Sequence, residues 1–321
     1  MYGLPCTKAT WKTSRIAMPI GNLSFSYLRS SDVQMQMGDR ITVQADNRRA
    51  TSTPEIIFTG IVFKTEYDEN ELIHVTAYDC LRYLKAKSSY VWEKKTLPQM
   101  VAQIASEYKL PVGILADTGV PITDVCENQG ILDMLTTFLL ETNMKSGDLF
   151  NLYVNGRGQI CIQRVQDMYV PDPMIGDDSL MYGYQFSESI DENTYNAISV
   201  VRKDKQSGKT NIVFEKDEES IERYGMLTMV KNSDNETATQ KEWATALLSQ
   251  RKYPTLSSSI KALGDFRVRA GSLIDVSIGD IGIHQTRFVV DRCTHTMTSG
   301  SHVMQIEPFM PQALYKTYRG G

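Results

Sequence analysis

At 321 residues, 41% of them apolar and 22% charged, the chain has the make-up of a folded protein with room for two or more domains. A formal net charge of −4 offers no basic surface to neutralise phosphates, which argues against sequence-specific nucleic-acid binding. No apolar run approaches the roughly 20 residues that span a bilayer, so membrane insertion is not expected.

The opening stretch, MYGLPCTKATWK, has no apolar core of the kind that marks a secretion signal. Residues 1–85 read as a first β-rich domain. Leu23, Phe25 and Tyr27 alternate with Ser24 and Ser26, a strand with one apolar face. Gly38-Asp39 opens a second strand over Arg40–Val43. Residues 47–54 are polar and carry Arg48 and Arg49, a candidate partner-facing loop. Phe58–Phe63, with Gly60 inside it, forms a long strand, and a turn at Asp68-Glu69-Asn70 leads into Leu72–Ala77. Asp79 is placed to cap a short helix over Cys80–Leu84.

Residues 86–165 change period and read as an α/β insertion. Thr96-Leu97-Pro98-Gln99 is a capping box with proline in the first turn. Leu97, Met100, Val101, Ile104, Ala105 and Tyr108 then recur at helical spacing, and Pro111 and Gly113 end that helix. A second helix is expected over about 130–143, with Ile131, Leu132, Leu135, Phe138 and Leu139 inward. Asn155-Gly156 between two apolar runs predicts a hairpin. Residues 166–253 read as strands plus a helix that either complete the flanking β domains or form a connecting domain, and they begin with a loop over 166–182 rich in proline and glycine. Strands are expected at Tyr184–Ser187, Ala197–Val201 and Thr210–Phe214, with a turn at Gln206–Lys209. A solvated acidic stretch follows over Glu215–Glu222, then a helix over about 236–251 capped by Ser233 or Asp234.

Residues 254–321 carry a second β unit and a polar tail. Ala270-Gly271-Ser272-Leu273-Ile274-Asp275-Val276 repeats the pattern of Met37-Gly38-Asp39-Arg40-Ile41-Thr42-Val43. Arg287–Val290 matches Phe58–Phe63, and His302–Ile306, reached through the turn Thr298–Ser301, matches Leu72–Ala77. One small β unit thus reads as occurring twice, its strand starts marked by Gly38, Asp39, Gly60, Gly271 and Ser272.

Chemistry-bearing motifs are missing from this pattern. The chain has no GxSxG, Walker A, GxGxxG or HExxH. Cys293, His295 and His302 could meet across a hairpin, but their spacing fits no zinc pattern and no fourth ligand follows, so they read as strand packing. The five cysteines are scattered, odd in number and without a CxxC pair, and read as reduced, buried small side chains. Asp177-Asp178 and Glu218-Glu219 are sequence neighbours, which point apart in extended chain and make poor acid/base pairs. No catalytic residue, cofactor or metal is expected.

Gly38–Val43, Phe58–Val62 and Val75-Thr76-Ala77-Tyr78-Asp79 resemble the hub proteins of contractile phage tails, the late-control-D-like hubs that include those of PBSX-type prophages. Phe186–Ile190 with Asn196–Val200 resembles the strand pair that this family carries before its second barrel. Glu222-Arg223-Tyr224-Gly225 resembles its Tyr-Gly turn, and Gly271–Val276 to His302–Ile306 its C-terminal barrel. The resemblance implies an α+β, β-rich chain with two tail-tube-like β-barrels joined by α/β insertions. It also implies a homotrimer whose six similar units match a trimeric spike protein to a six-fold tail tube or tube initiator, with other baseplate proteins and the tape measure protein as further partners. Such a protein is made in the bacterial cytoplasm and built into the baseplate of a phage tail or a phage-derived bacteriocin particle. The competing readings are a tail-associated cell-wall hydrolase, the tail-tip hub of a non-contractile tail, and a secretion-system spike hub.

Overall fold

The computed structural model describes residues 6–29, 33–45, 54–69, 71–177, 179–191, 193–203, 210–232 and 240–309. They form two bodies, one from residues 6–184 and 259–309 and a smaller one from 185–258. The architecture is α+β and rich in strand. Arg48, Arg49, the Gln206–Lys209 turn and the caps Ser233 and Asp234 lie outside the described residues.

Alternation builds the sheet of the larger body. β1 (Cys6–Ser14) pairs antiparallel with β2 (Asn22–Leu28), where Leu23, Phe25 and Tyr27 are buried and the residues between them are not. β3 (Arg40–Ala45), β4 (Glu55–Tyr67) and β5 (Leu72–Tyr78) continue it, with β4 between β3 and β5, and β5 beside β2. Asp79 accepts a hydrogen bond from Leu81 N–H at 3.0 Å and starts a 3-10 turn over Cys80–Lys85.

The inserted segment contains β6 (Lys87–Thr96), α1 (Leu97–Glu107), β7 (Val112–Leu115), β8 (Pro121–Gly130), α2 (Ile131–Ser146), β9 (Phe150–Val154) and β10 (Ile160–Arg164). The capping box is present, with Thr96 N–H donating to Gln99 Oε1 at 3.0 Å. Leu97, Met100, Ile104, Leu135 and Leu139 are sealed in one core with strands β9 and β10, each such side chain contributing about 1.5–3 kcal/mol by leaving water. The sequence reading did not anticipate the ribbon of β6 and β8. Register shifts at Ser88/Tyr90 and Trp92/Lys95 break the alternation that would have revealed it.

The expected loop over 166–182 is instead mostly strand. β11 (Tyr169–Gly176) runs there, followed by β12 (Met181–Ser189). β11 keeps its prolines because Pro171 and Pro173 fall inside the register gap between Val170 and Ile175, where no ladder N–H is needed. In the smaller body β13 (Ala197–Lys203) lies between β14 (Thr210–Lys216) and β15 (Thr228–Asn232). The acidic stretch expected to be solvated loop holds α3 (Glu218–Tyr224), started by Asp217 accepting from Ser220 N–H and stopped by Gly225 at φ +78°. α4 (Gln240–Arg251) lays Trp243, Ala244, Leu247 and Leu248 on Ile198 and Val200.

The chain then returns to the large sheet as β16 (Thr255–Leu263), β17 (Leu273–Ile278), β18 (Ile283–Thr298) and β19 (Ser301–Phe309). These four strands pair as β2 to β5 do. Gly38 (φ +94°) and Gly271 (φ +90°) make the same turn. Gly38 N–H donates to Val62 O and Val62 N–H to Asp39 O, both at 2.9 Å. Gly271 N–H donates to Val290 O and Val290 N–H to Ser272 O, both at 2.8 Å. Asp39 accepts from Gln36 N–H at 2.8 Å as Ser272 accepts from Arg269 N–H at 3.1 Å. A bulge follows at the same point in each copy, at Phe63 and at Asp291. Gly60 is not shared, since Phe288 takes its register position opposite Ile274. Nor does His74 correspond to His302. Counted from the bulge, His74 matches Gln305, because the second hairpin runs three rungs further, to Thr298–Ser301.

The two turn glycines are expected to respond differently to Gly→Ala. At Gly38 an added Cβ meets open space, so G38A costs only the left-handed backbone term of about 1–2 kcal/mol. At Gly271 the Cβ would lie 2.0 Å from Nδ2 of buried Asn151, which is held by a bond to Ala270 O, so G271A costs several times more. Urea unfolding of both variants measures the difference, and equal costs would refute the crowding.

Candidate assembly site

β1 is the seam between the two copies of the β unit. It pairs with β2 of the first on one side and with β18 of the second on the other, so Trp11 stands opposite both Leu23 and His295. Its far end is pinned at the second bulge. Arg15, 5% exposed, donates to Asp291 Oδ1 at 3.2 Å, and its guanidinium lies 4.9 Å from the Phe309 ring.

Under the seam lies the turn Gly264–Ser272. Ala270 N–H donates to Thr13 on β1 at 2.9 Å, and Asn151 on β9 donates to Ala270 O at 3.2 Å. Arg269 points between them. Its guanidinium sits 4.5 Å over the Tyr153 ring and 5.8 Å from Trp11, and its Nε is sealed from solvent without a hydrogen-bond partner. Burial pulls its pKa down, opposed by the Tyr153 phenol beneath it and by the Asp79 carboxyl; a guanidinium remains cationic all the same. Asp79 is 3% exposed and its oxygens accept from Gly21 N–H at 2.6 Å and Leu81 N–H at 3.0 Å. Burial pushes this carboxyl up to about 7, with the two N–H groups and then Arg269 pulling it back. The second β unit supplies Arg269, the exit of the first supplies Asp79, and the inserted hairpin supplies Tyr153. One buried field therefore ties three parts of the larger body together.

The structure brings Cys293, His295 and His302 close. Cys293 Sγ is 3.3 Å from His295 Nε2, and His302 Nε2 is 3.0 Å from His295 Nδ1. His295 thus presents opposite nitrogens to the other two, and the three do not converge on one point as metal ligands must. Their geometry is a hydrogen-bond chain. Val268 O, 2.8 Å from His295 Nε2, can only accept, so that nitrogen carries the hydrogen. Nδ1 is then the acceptor for His302 Nε2–H. Trp11 stacks on His295 at 5.0 Å and Phe266 on His302 at 3.9 Å.

Two edges of the sheet carry exposed side chains. β3 pairs only with β4 among the described strands, and beyond β3 the upper part of β4, up to Tyr67, has β5 on one side alone. Tyr67, counted from the bulge, corresponds to His295, yet is 66% exposed where His295 is fully buried with Trp11 of β1 stacked on it. At the opposite end β12 closes the sheet, with Tyr182 58% exposed. An open cleft near β3 is lined by Ile56, Ile114, Asn155 and Gln159, and Glu55 and Arg157 are the ionisable residues among its described lining. Sequence reasoning missed Trp11, Tyr67 and Arg269, and placed only the later part of β12, at Tyr184–Ser187. A bulge-to-bulge alignment of the two units would have exposed Tyr67; nothing local in the sequence marks Arg269.

A family model described as YQBQ-like matches residues 9–307. The phage-like element PBSX protein XkdQ of Bacillus subtilis is 29% identical over 261 residues, 78% of this chain and 77% of that protein. Among solved structures, a tail protein from Neisseria meningitidis MC58 superposes with a TM-score of 0.70 at 10% identity, covering 94% of this chain and 91% of that one. The 43 kDa tail protein of prophage MuSo2 from Shewanella oneidensis gives 0.67 at 14% identity, covering 97% and 95%.

Replacing Arg269 by methionine keeps the stem and removes the cation. Asp79 then loses its attractive field, so its carboxyl rises further above 7. A folded-state pKa above the unfolded value of 3.8 means stability is full at low pH and falls as pH rises through that value. R269M should therefore lose stability more steeply than the parent between pH 6 and 9, by about 1.4 kcal/mol for every tenfold weakening of the carboxylic acid. Urea unfolding across that range tests it; parallel pH profiles would show that Arg269 does not act on Asp79.

Proposed function

Because the chain belongs to the YQBQ-like family, we propose that it is a structural tail protein, the hub of a contractile tail or tail-like particle. Three chains close into a ring of six similar β units. The ring joins a trimeric spike protein to the hexameric tail tube or its initiator, nucleates the tube, and meets other baseplate proteins and the tape measure protein. It performs no catalysis. PBSX protein XkdQ, by its name a component of a phage-like element, and the tail proteins that share the fold favour this reading.

The observation that carries it is the seam. Within the chain, β1 pairs with the first strand of its own unit and with the upper part of β18 in the other unit. By the same internal equivalence β12, which neighbours β16, stands to the second unit as β1 stands to the first. Its natural counterpart is the upper part of β4, and among the described residues no strand of the same chain pairs there, beside Tyr67. A neighbouring copy supplies the missing strand, and the contact is heterologous and head-to-tail, the kind that closes into a ring. Tyr67 is then covered as His295 is covered by Trp11.

The native mass of the purified chain, alone and mixed with its spike, tests this. A trimer of 36.2 kDa chains, 108.6 kDa in all, is expected in at least one of the two samples. Tyr67→Arg, at an exposed position, should leave the chain folded by circular dichroism and abolish the trimer. A monomer that ignores the spike would overturn the hub reading. A Y67R trimer would overturn the predicted β4–β12 contact.

A further inference from the structure

We propose that the His302–His295–Val268 hydrogen-bond chain is a proton-operated latch that holds the long end of the β18–β19 hairpin against β1, and that acid opens this seam before the rest of the fold. The latch depends on His295 being neutral. His295 must keep its hydrogen on Nε2 to satisfy Val268 O, so its Nδ1 lone pair is what receives His302 Nε2–H. One proton is tolerated: added at His302 Nδ1, it leaves the donating Nε2–H in place. The second must go to His295 Nδ1, and then two N–H groups face each other across 3.0 Å. That bond cannot survive, and the new imidazolium lies under Trp11 with no exposure to water.

The surroundings reinforce the penalty. His302 lies flat over Gly264, where an added Cβ would fall 2.2 Å from its Cδ2, with Phe266 stacked on it, so the ring has no room to swing aside. Asp265, 1% exposed, is the anion that acts on the pair among the described residues, and Arg267 already engages both of its oxygens through Nε and Nη2 at 2.7–3.2 Å. Arg269 from the same turn opposes a positive charge on His295. On β18 the Cys293 thiol is pushed up by burial and stays neutral, and the buried face of β1 brings Trp11 and Thr13, with Lys8 and Lys12 exposed on the opposite face. Burial accordingly draws both histidines down to about 4, and the pair titrates as a unit. Both folded values lie below the ordinary 6.5. The neutral chain therefore contributes its full stability above pH 6.5 and loses it as pH falls through about 4. The rungs at stake are Thr296–Val303, Met297–His302 and Thr298–Ser301, which the first β unit lacks, together with the β1 pairs from Lys8–Thr298 to Thr13–Cys293.

Hydrogen exchange of the full chain, read by peptide mass spectrometry at pH 6.5 and pH 4 with the intrinsic rate corrected, tests the latch. Protection of residues 8–13 and 293–303 is expected to fall at least tenfold more than that of β9 and β10. His302→Gln is the diagnostic variant. Its amide donates to His295 Nδ1 at neutral pH and can turn its oxygen to accept once His295 is protonated, so H302Q should hold the seam closed at pH 4. Nitrogen-15 shifts of labelled histidine in the unaltered chain supply a second readout, with His295 expected as the Nε2–H tautomer at pH 7. Undiminished seam protection at pH 4, an equal loss in H302Q, or a His295 Nδ1–H tautomer would each overturn the proposal.

Discussion

A desolvated guanidinium sits where three parts of the larger body meet, and it can stay there only if all three are in place. Arg269 leaves water to lie over Tyr153 and within the field of Asp79, with Trp11 beyond. An isolated buried cation costs far more than its hydrogen bonds return, so this arrangement is favourable only with the aromatic face and the carboxyl supplied from elsewhere in the chain. Asp79 has the reciprocal problem, a buried carboxyl held by two backbone N–H groups and one distant cation. The first β unit, the inserted hairpin and the second β unit are thus coupled through charge, while the apolar core of each could form locally.

The two β units show how a duplicated element diverges once its copies have different neighbours. Both keep the left-handed glycine, the side-chain bond back to the turn and the bulge, since these set the path of four strands whatever packs on them. They differ where contacts differ. Gly38 faces open space, whereas Gly271 presses on Asn151. The second hairpin is longer because β1 lies along it, and it fills the added length with Trp11, His295, Phe266 and His302. The first hairpin stops short and leaves Tyr67 exposed. An exposed aromatic at an open sheet edge is costly for a monomer and ordinary for a subunit, which gives the assembly reading its physical content.

Strong periodic signals were legible in the sequence. The stripes of α1 and α2, the capping box at Thr96, the Asn-Gly hairpin and the Asp79 cap all depend on residues within one or two turns of each other, so local sequence is sufficient. The elements that were misread are those whose pattern is interrupted. β6 and β8 carry register shifts, and β11 hides its strand behind two prolines that a bulge accommodates. α3 has its N-cap and its glycine stop in plain view, but is short and acidic enough to pass for a loop.

The sequence by itself determined the β-rich class, the helices of the insertion and the existence of a repeated β unit, because hydrophobic period and turn chemistry are properties of neighbouring residues. Only the tertiary structure decided how the copies correspond. The true register is counted from the bulges, which pair His74 with Gln305 and not with His302. It alone placed β1 between the copies, sent opposite nitrogens of His295 to Cys293 and His302, and buried Arg269 beside Tyr153. The placing of β1 against β18 and of Arg269 over Tyr153 depends on contacts between residues more than a hundred positions apart. Such contacts are fixed by the packing of whole strands against one another, and no local pattern records them.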